Sequence, residues 1–160
     1  MSVESKSKSG ATRGQGGPWS GPERLEVRKR IAAPATRVFA AWTKPESLAR
    51  WMRPAETTEV RVEADVREGG RFTLDMVGAD GKVFAHRGEY VVVDPPRKLA
   101  FTWRADWLPN GSLVTVEFAE SDGATEVVLT HEGLPDAQSA ENHRAGWGQI
   151  LEKLAAEMSR

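Results

Sequence analysis

Two hydrophobic periods share this chain and change over once. From Val60 to His131 apolar residues recur at alternate positions, and from Ala137 to Met158 they recur at helical spacing. The alternating part reads as successive strands carrying Val60 and Val62; Phe72, Leu74 and Met76; residues 83–93; Leu99, Phe101 and Trp103; Val114, Val116 and Phe118; and Val127, Leu129 and His131. Gly69-Gly70, Gly78-Ala79-Asp80-Gly81, Asp94-Pro95-Pro96, Pro109-Asn110-Gly111 and Asp122-Gly123 separate these runs, because glycine and proline interrupt ladders and suit turns. Short connections between consecutive strands predict an antiparallel meander. The helical part puts Trp147, Ile150, Leu151, Leu154 and Met158 on one stripe, with Glu141, Arg144, Lys153 and Glu157 facing away. A sheet with one apolar face and a helix with one apolar stripe bury both by packing on each other. The predicted fold is α+β: a curved antiparallel β-sheet wrapped around a long C-terminal helix.

Ahead of the meander, Leu25 to Ile31 alternates apolar with charged residues, as a half-buried strand does. Two short helices follow. Pro34 opens the first, which carries Val38, Phe39 and Trp42. The second has Pro45 in its first turn, places Leu48, Trp51 and Met52 on one side, and stops at Pro54. Thr43 and Glu46 have the spacing of a capping box. Residues 1–22 are rich in Gly, Ser, Pro and Lys, with too few apolar side chains to offset the entropy of ordering. They read as a flexible, slightly basic tail, leaving 23–160 as one domain. The Gly14-Gln15-Gly16 fragment has no strand before it and no helix behind it, so it is not a nucleotide-binding fingerprint.

Composition removes several classes of function. The 160 residues include 22 Lys and Arg against 23 Asp and Glu, which argues against a polycation that binds nucleic acid. There is no cysteine, so disulfide, thiol, zinc-finger and iron–sulfur chemistry are excluded. No apolar run approaches the roughly 18 residues of a membrane span, and the first ten residues lack a signal peptide's apolar stretch. The expectation is a cytoplasmic protein with neither nucleic acid nor membrane as partner. No nucleophile elbow, P-loop or serine triad occurs. His86, His131 and His143 lack the spacing of a zinc pair, so no metal, cofactor or catalytic residue is assigned.

The polar candidates follow from strand parity. His131 shares parity with Val127 and Leu129 and should point inward, either as a buried histidine satisfied by hydrogen bonds or as a polar anchor for a ligand. His86 lies on a strand with Phe84 and Tyr90, where Gly88 could mark a bulge. Such a bulge would leave open which of Glu89, Tyr90 and Val91 faces inward, and an inward Glu89 would have a raised pKa. His143 is expected to be exposed. Six Trp and five Phe against a single Tyr are a large aromatic share for a packed core, since every indole N–H needs a partner.

These elements also carry a resemblance. The order of Ile31-Ala32-Ala33-Pro34 with Val38, Phe39 and Trp42, then Pro45-Glu46 with Leu48 and Trp51, Gly69-Gly70-Arg71-Phe72, Asp94-Pro95-Pro96 with Leu99, Phe101-Thr102-Trp103, His131-Glu132-Gly133 and Gly146-Trp147 with Leu151 resembles the helix-grip fold of the START/Bet v-like (SRPBCC) superfamily. Within it the chain is similar to the activator of heat-shock-protein-90 ATPase homologue family, over residues 25–158. The resemblance implies a cavity between sheet and last helix that takes a small hydrophobic or aromatic molecule. With the inward rows it points to Phe39, Trp42, Trp51, Phe72, Leu74, Met76, Phe84, His86, Phe101, Trp103, Val116, Phe118, Leu129, His131, Trp147 and Leu151 as its lining. Trp107 reads as a rim residue or a homodimer contact. Two other functions stay open: an enzyme of the polyketide cyclase/dehydratase kind using His131 or Glu89, and a module that contacts a chaperone ATPase.

Overall fold

The computed structural model describes residues 21–54 and 56–160. Residues 1–20, most of the segment read as a tail, lie outside the described residues; Gly21 and Pro22 are the first residues of a strand. That strand, β1 (Gly21–Ile31), leads into α1 (Ala35–Thr43) and α2 (Pro45–Trp51). Six strands follow: β2 (Thr57–Ala64), β3 (Arg71–Gly78), β4 (Val83–Asp94), β5 (Lys98–Ala105), β6 (Leu108–Ser121) and β7 (Ala124–Gly133). Helix α3 (Ala137–Met158) closes the chain, with Asp136 as its N-cap accepting from the Ser139 N–H at 2.8 Å.

The strands form one seven-stranded antiparallel sheet in the order β1-β7-β6-β5-β4-β3-β2. The meander is as predicted, and β1 pairs with β7. The alternation seen in sequence becomes a continuous inward row through Leu25, His131, Val114, Phe101 and Tyr90, which are register partners across five strands. All five are buried. The stripe of Trp147, Ile150, Leu151, Leu154 and Met158 on α3 is buried as well. This is the helix-grip architecture, with two short helices after the first strand.

Local details depart from the sequence reading. The β5–β6 hairpin turns at Asp106-Trp107, where Ala105 pairs with Leu108. Pro109-Asn110-Gly111 instead forms an irregularity inside β6, with Gly111 at φ 79° supplying backbone that the ladder cannot. The capping box is absent: Thr43 Oγ1 turns back to the carbonyls of Phe39 and Ala40. Gly88 is not a bulge, since β3 and β4 stay in register from Val83 to Glu89. It is a glycine because the Phe72 ring covers it, and an added Cβ would lie 1.9 Å from the Thr102 carbonyl and 2.6 Å from Phe72. The register shift comes later, between Tyr90 and Val92. Tyr90 therefore faces inward and Glu89 faces solvent. Burial pushes the Tyr90 hydroxyl up to about 12. Glu157, predicted to face away, is only 12% exposed in its side chain because Arg50 of α2 binds its carboxylate.

Candidate functional site

A cavity of about 510 Å³ lies between the β3–β5 end of the sheet and α3. Its floor is Met76, His86 and Trp103 from the inward rows of β3, β4 and β5. One wall is α3, through Asn142, His143, Gly146, Trp147 and Ile150. Its mouth is formed by Pro54, Glu56 and Thr57 before and at the start of β2, by the Gly78-Ala79-Asp80 turn, and by Phe84 and Trp107. The aromatic groups are organised against one another. His86 lies on Trp103 with centroids 4.6 Å apart and planes tilted 33°. Trp107 stands edge-on to His86 at 5.2 Å and to Phe84 at 5.9 Å, and Trp103 meets Trp147 at 5.2 Å. Phe84 and Trp107 remain 40% and 47% exposed, so the mouth presents apolar surface that the fold does not cover.

Behind the wall sits a buried hydrogen-bond chain whose protons can be assigned. Ser112 Oγ donates to the Trp103 carbonyl at 3.0 Å, so its remaining contact, 2.6 Å to His131 Nε2, must be as acceptor. His131 therefore carries its proton on Nε2. Its Nδ1 lone pair accepts the Trp147 indole N–H at 3.0 Å. A second proton on His131 would face that N–H, and burial already drives its pKa well below the ordinary value. His131 is thus a neutral strut that orients the Trp147 ring.

The other two histidines are on the cavity wall. His86 Nδ1 donates to the Leu74 carbonyl at 3.2 Å, and burial lowers its pKa to about 4. His143 is half-buried rather than exposed, its ring edge-on to His131 at 4.9 Å. Its Nδ1 donates to the Ser139 carbonyl at 2.8 Å, and burial lowers its pKa too. Both imidazoles are neutral at pH 7. Among the described residues no group of three or more His, Asp or Glu is placed to hold a metal ion.

The family model described as "Activator of Hsp90 ATPase homolog 1-like protein" matches residues 32–159. The chain belongs to that family. It is 30% identical over 111 residues to the activator of 90 kDa heat shock protein ATPase homolog 1 of Mus musculus, a match that covers 66% of this chain. The chain spans only 30% of the length of that mouse relative. A protein of Chromobacterium violaceum, 29% identical, has a solved structure that superimposes with a TM-score of 0.78 over 87% of this chain and 99% of that one. The AHSA1 protein of Silicibacter pomeroyi, 26% identical, gives 0.72 over 86% and 98%.

In this family member the residues predicted to line one cavity divide. Met76, Phe84, His86, Trp103 and Trp147 come together on it. Phe72, Leu74, Phe101 and Trp42 surround a packed region with only about 20 Å³ free, which Trp103 separates from the cavity. Phe39, Trp51 and Phe118 join Trp42 in an edge-to-face cluster. Val116, Leu129 and Leu151 are fully packed core, and His131 acts through Trp147. The four tryptophans expected to converge are therefore two pairs. Trp51 donates its N–H to the Ala41 carbonyl at 3.3 Å, while Trp42 Nε1 has no partner among the described residues. Sequence reasoning missed His143, Asn142, Gly146 and Ile150 on α3, and Glu56 and Asp80 at the mouth. His143 and Ile150 follow Trp147 around the helix at i−4 and i+3, a signal that was available once Trp147 was placed inward, whereas Asn142 and Gly146 lie off that face at i−5 and i−1.

Proposed function

We propose that this protein binds a small, mainly apolar or aromatic molecule in the cavity between its sheet and α3, as a carrier or sensor in the cytoplasm. The carrying observation is the cavity itself. About 510 Å³ walled by Met76, Phe84, Trp103, Trp107, Trp147 and Ile150 falls within the range of small-molecule sites and is larger than packing defects of a well-folded core. Burial of a ligand's apolar body supplies roughly 25 cal/mol per Å² before ordering costs, and a few polar groups select among ligands. Native mass spectrometry of freshly purified full chain is the test, joined to calorimetric titration with naphthylethanol. A co-purifying small molecule, or saturable binding that Trp147→Ala abolishes, is the expected result. The absence of both overturns the reading.

A cyclase-type reaction finds less support. Both nitrogens of His131 are engaged, and Glu89 lies on the solvent face. Contact with a chaperone ATPase draws on the name of the mouse relative. Stimulation of a purified heat-shock ATPase by this chain supports it, and no effect at saturating concentration overturns it.

A further inference from the structure

We propose that the ligand of the cavity carries a basic amine and binds as an ammonium ion; this rests on the ligand-binding reading above and narrows its chemical class. The charge of the lining is one-sided. Glu56 and Asp80 supply two carboxylates at the mouth, and the described lining contains neither Lys nor Arg. His86 and His143 add no positive charge at neutral pH. Because the His143 proton is on Nδ1, its Nε2 is a lone pair in a ring that lines the cavity. The faces of Phe84, Trp103, Trp107 and Trp147 carry negative quadrupole potential, which attracts cations. An anionic ligand would give up water here with no Lys or Arg in the lining to meet it, whereas an ammonium would meet carboxylates and aromatic rings.

Two further observations agree. The rim already holds a cation on an aromatic ring: Lys82 Nζ lies 5.9 Å from the Phe84 centroid. Lys82 and Arg53, which precedes Pro54, are adjacent in sequence to the mouth segments, and neither belongs to the lining. One of the two acids is also held by the backbone. Asp80 Oδ1 accepts the Lys82 backbone N–H at 2.9 Å.

The test uses three probes of one shape: naphthylethylamine (cation), naphthylethanol (neutral) and naphthylacetate (anion), titrated calorimetrically into the full chain at neutral pH and low salt. The expected order is amine, then alcohol, then carboxylate. The first and last should differ by roughly tenfold or more, the scale of two charge contacts at a wet surface. Glu56→Gln combined with Asp80→Asn changes two exposed residues and should collapse the tenfold amine-to-carboxylate ratio to about two, each affinity being read against the alcohol's in the same variant. If the alcohol binds but the charged pair are equal or reversed, the inference falls and the ligand-binding reading stands. A preference for the amine that survives in the double variant also overturns it. If none of the three binds, the inference falls, and the ligand-binding reading falls with it only when no small molecule co-purifies.

Discussion

His131 can satisfy both its neighbours only as a neutral ring with the proton on Nε2. Replacing it by leucine keeps the volume but leaves the Trp147 indole N–H buried without an acceptor. We expect His131→Leu to cost about 1–3 kcal/mol in urea unfolding. Trp147→Phe removes the orphaned donor, so the double variant should lose clearly less than the sum of the singles. His86 makes a separate prediction about pH. Its folded pKa of about 4 lies below the ordinary 6.5, so between those values the unfolded chain binds the additional proton. Its contribution is complete above pH 6.5, declines as pH falls, and levels off below about 4. The full shift corresponds to roughly 3 kcal/mol. His86→Leu should make the wild-type decline over that window shallower, the remainder coming from His131 and His143, whose pKa values burial lowers too, as read by denaturant unfolding at several pH values. At this scale the sequence was partly legible. Strand parity placed His131 and His86 inward correctly, because alternation is a local property. The partners of His131 lie 16 and 19 residues away and depend on register and helix rotation, which no local pattern encodes.

The elements themselves were easier to read than their ends. Helix α3 shows its span through its stripe and its Asp136 cap, both written in consecutive residues. Helix α1 does not: its first N–H, on Ala35, is satisfied by the Glu120 carboxylate arriving from β6 at 2.8 Å. Thr43 likewise had a carbonyl competitor within α1 that the capping-box pattern ignores. Within α3 one local rule is broken where the cavity is. Gly146 and Gly148 both sit in the helix interior, and a Cβ added to either would meet nothing within 4 Å. Neither is required by packing, yet each costs helix stability. Gly146→Ala and Gly148→Ala should each stabilise the fold by about 0.5–1 kcal/mol, measured by thermal or urea unfolding. Only Gly146 lines the cavity, so only its substitution should weaken binding of a naphthyl probe. Equal effects of the two variants on binding would mean that Gly146 is not sized for a ligand.

Across the whole molecule the aromatic residues do two different jobs. Phe39, Trp42, Trp51 and Phe118 close the core beneath α1 and α2 through edge-to-face contacts, while Phe84, Trp103, Trp107 and Trp147 leave a space open. Composition could reveal an aromatic excess, but not this division, because it depends on which end of the sheet's inner face each ring occupies. Trp103 belongs to both regions: it touches the packed side at Phe72 and Phe101, and the cavity side at His86 and Trp147. Removing its ring should therefore merge the two regions and lower stability together. Trp103→Ala is expected to lose roughly 3–5 kcal/mol in denaturant unfolding, the cost of a large aromatic deleted from a core. The cavity is bordered by pieces from five parts of the chain, so a ligand there holds the native state as a whole. At one hundred times its dissociation constant it should add about 2.7 kcal/mol to wild-type stability. In Trp103→Ala the same naphthyl probe meets a wider, less complementary space, and its stabilising effect should shrink while a bulkier aromatic gains. A variant as stable as wild type would place Trp103 outside the core. An unchanged response to both probes would remove it from the cavity wall.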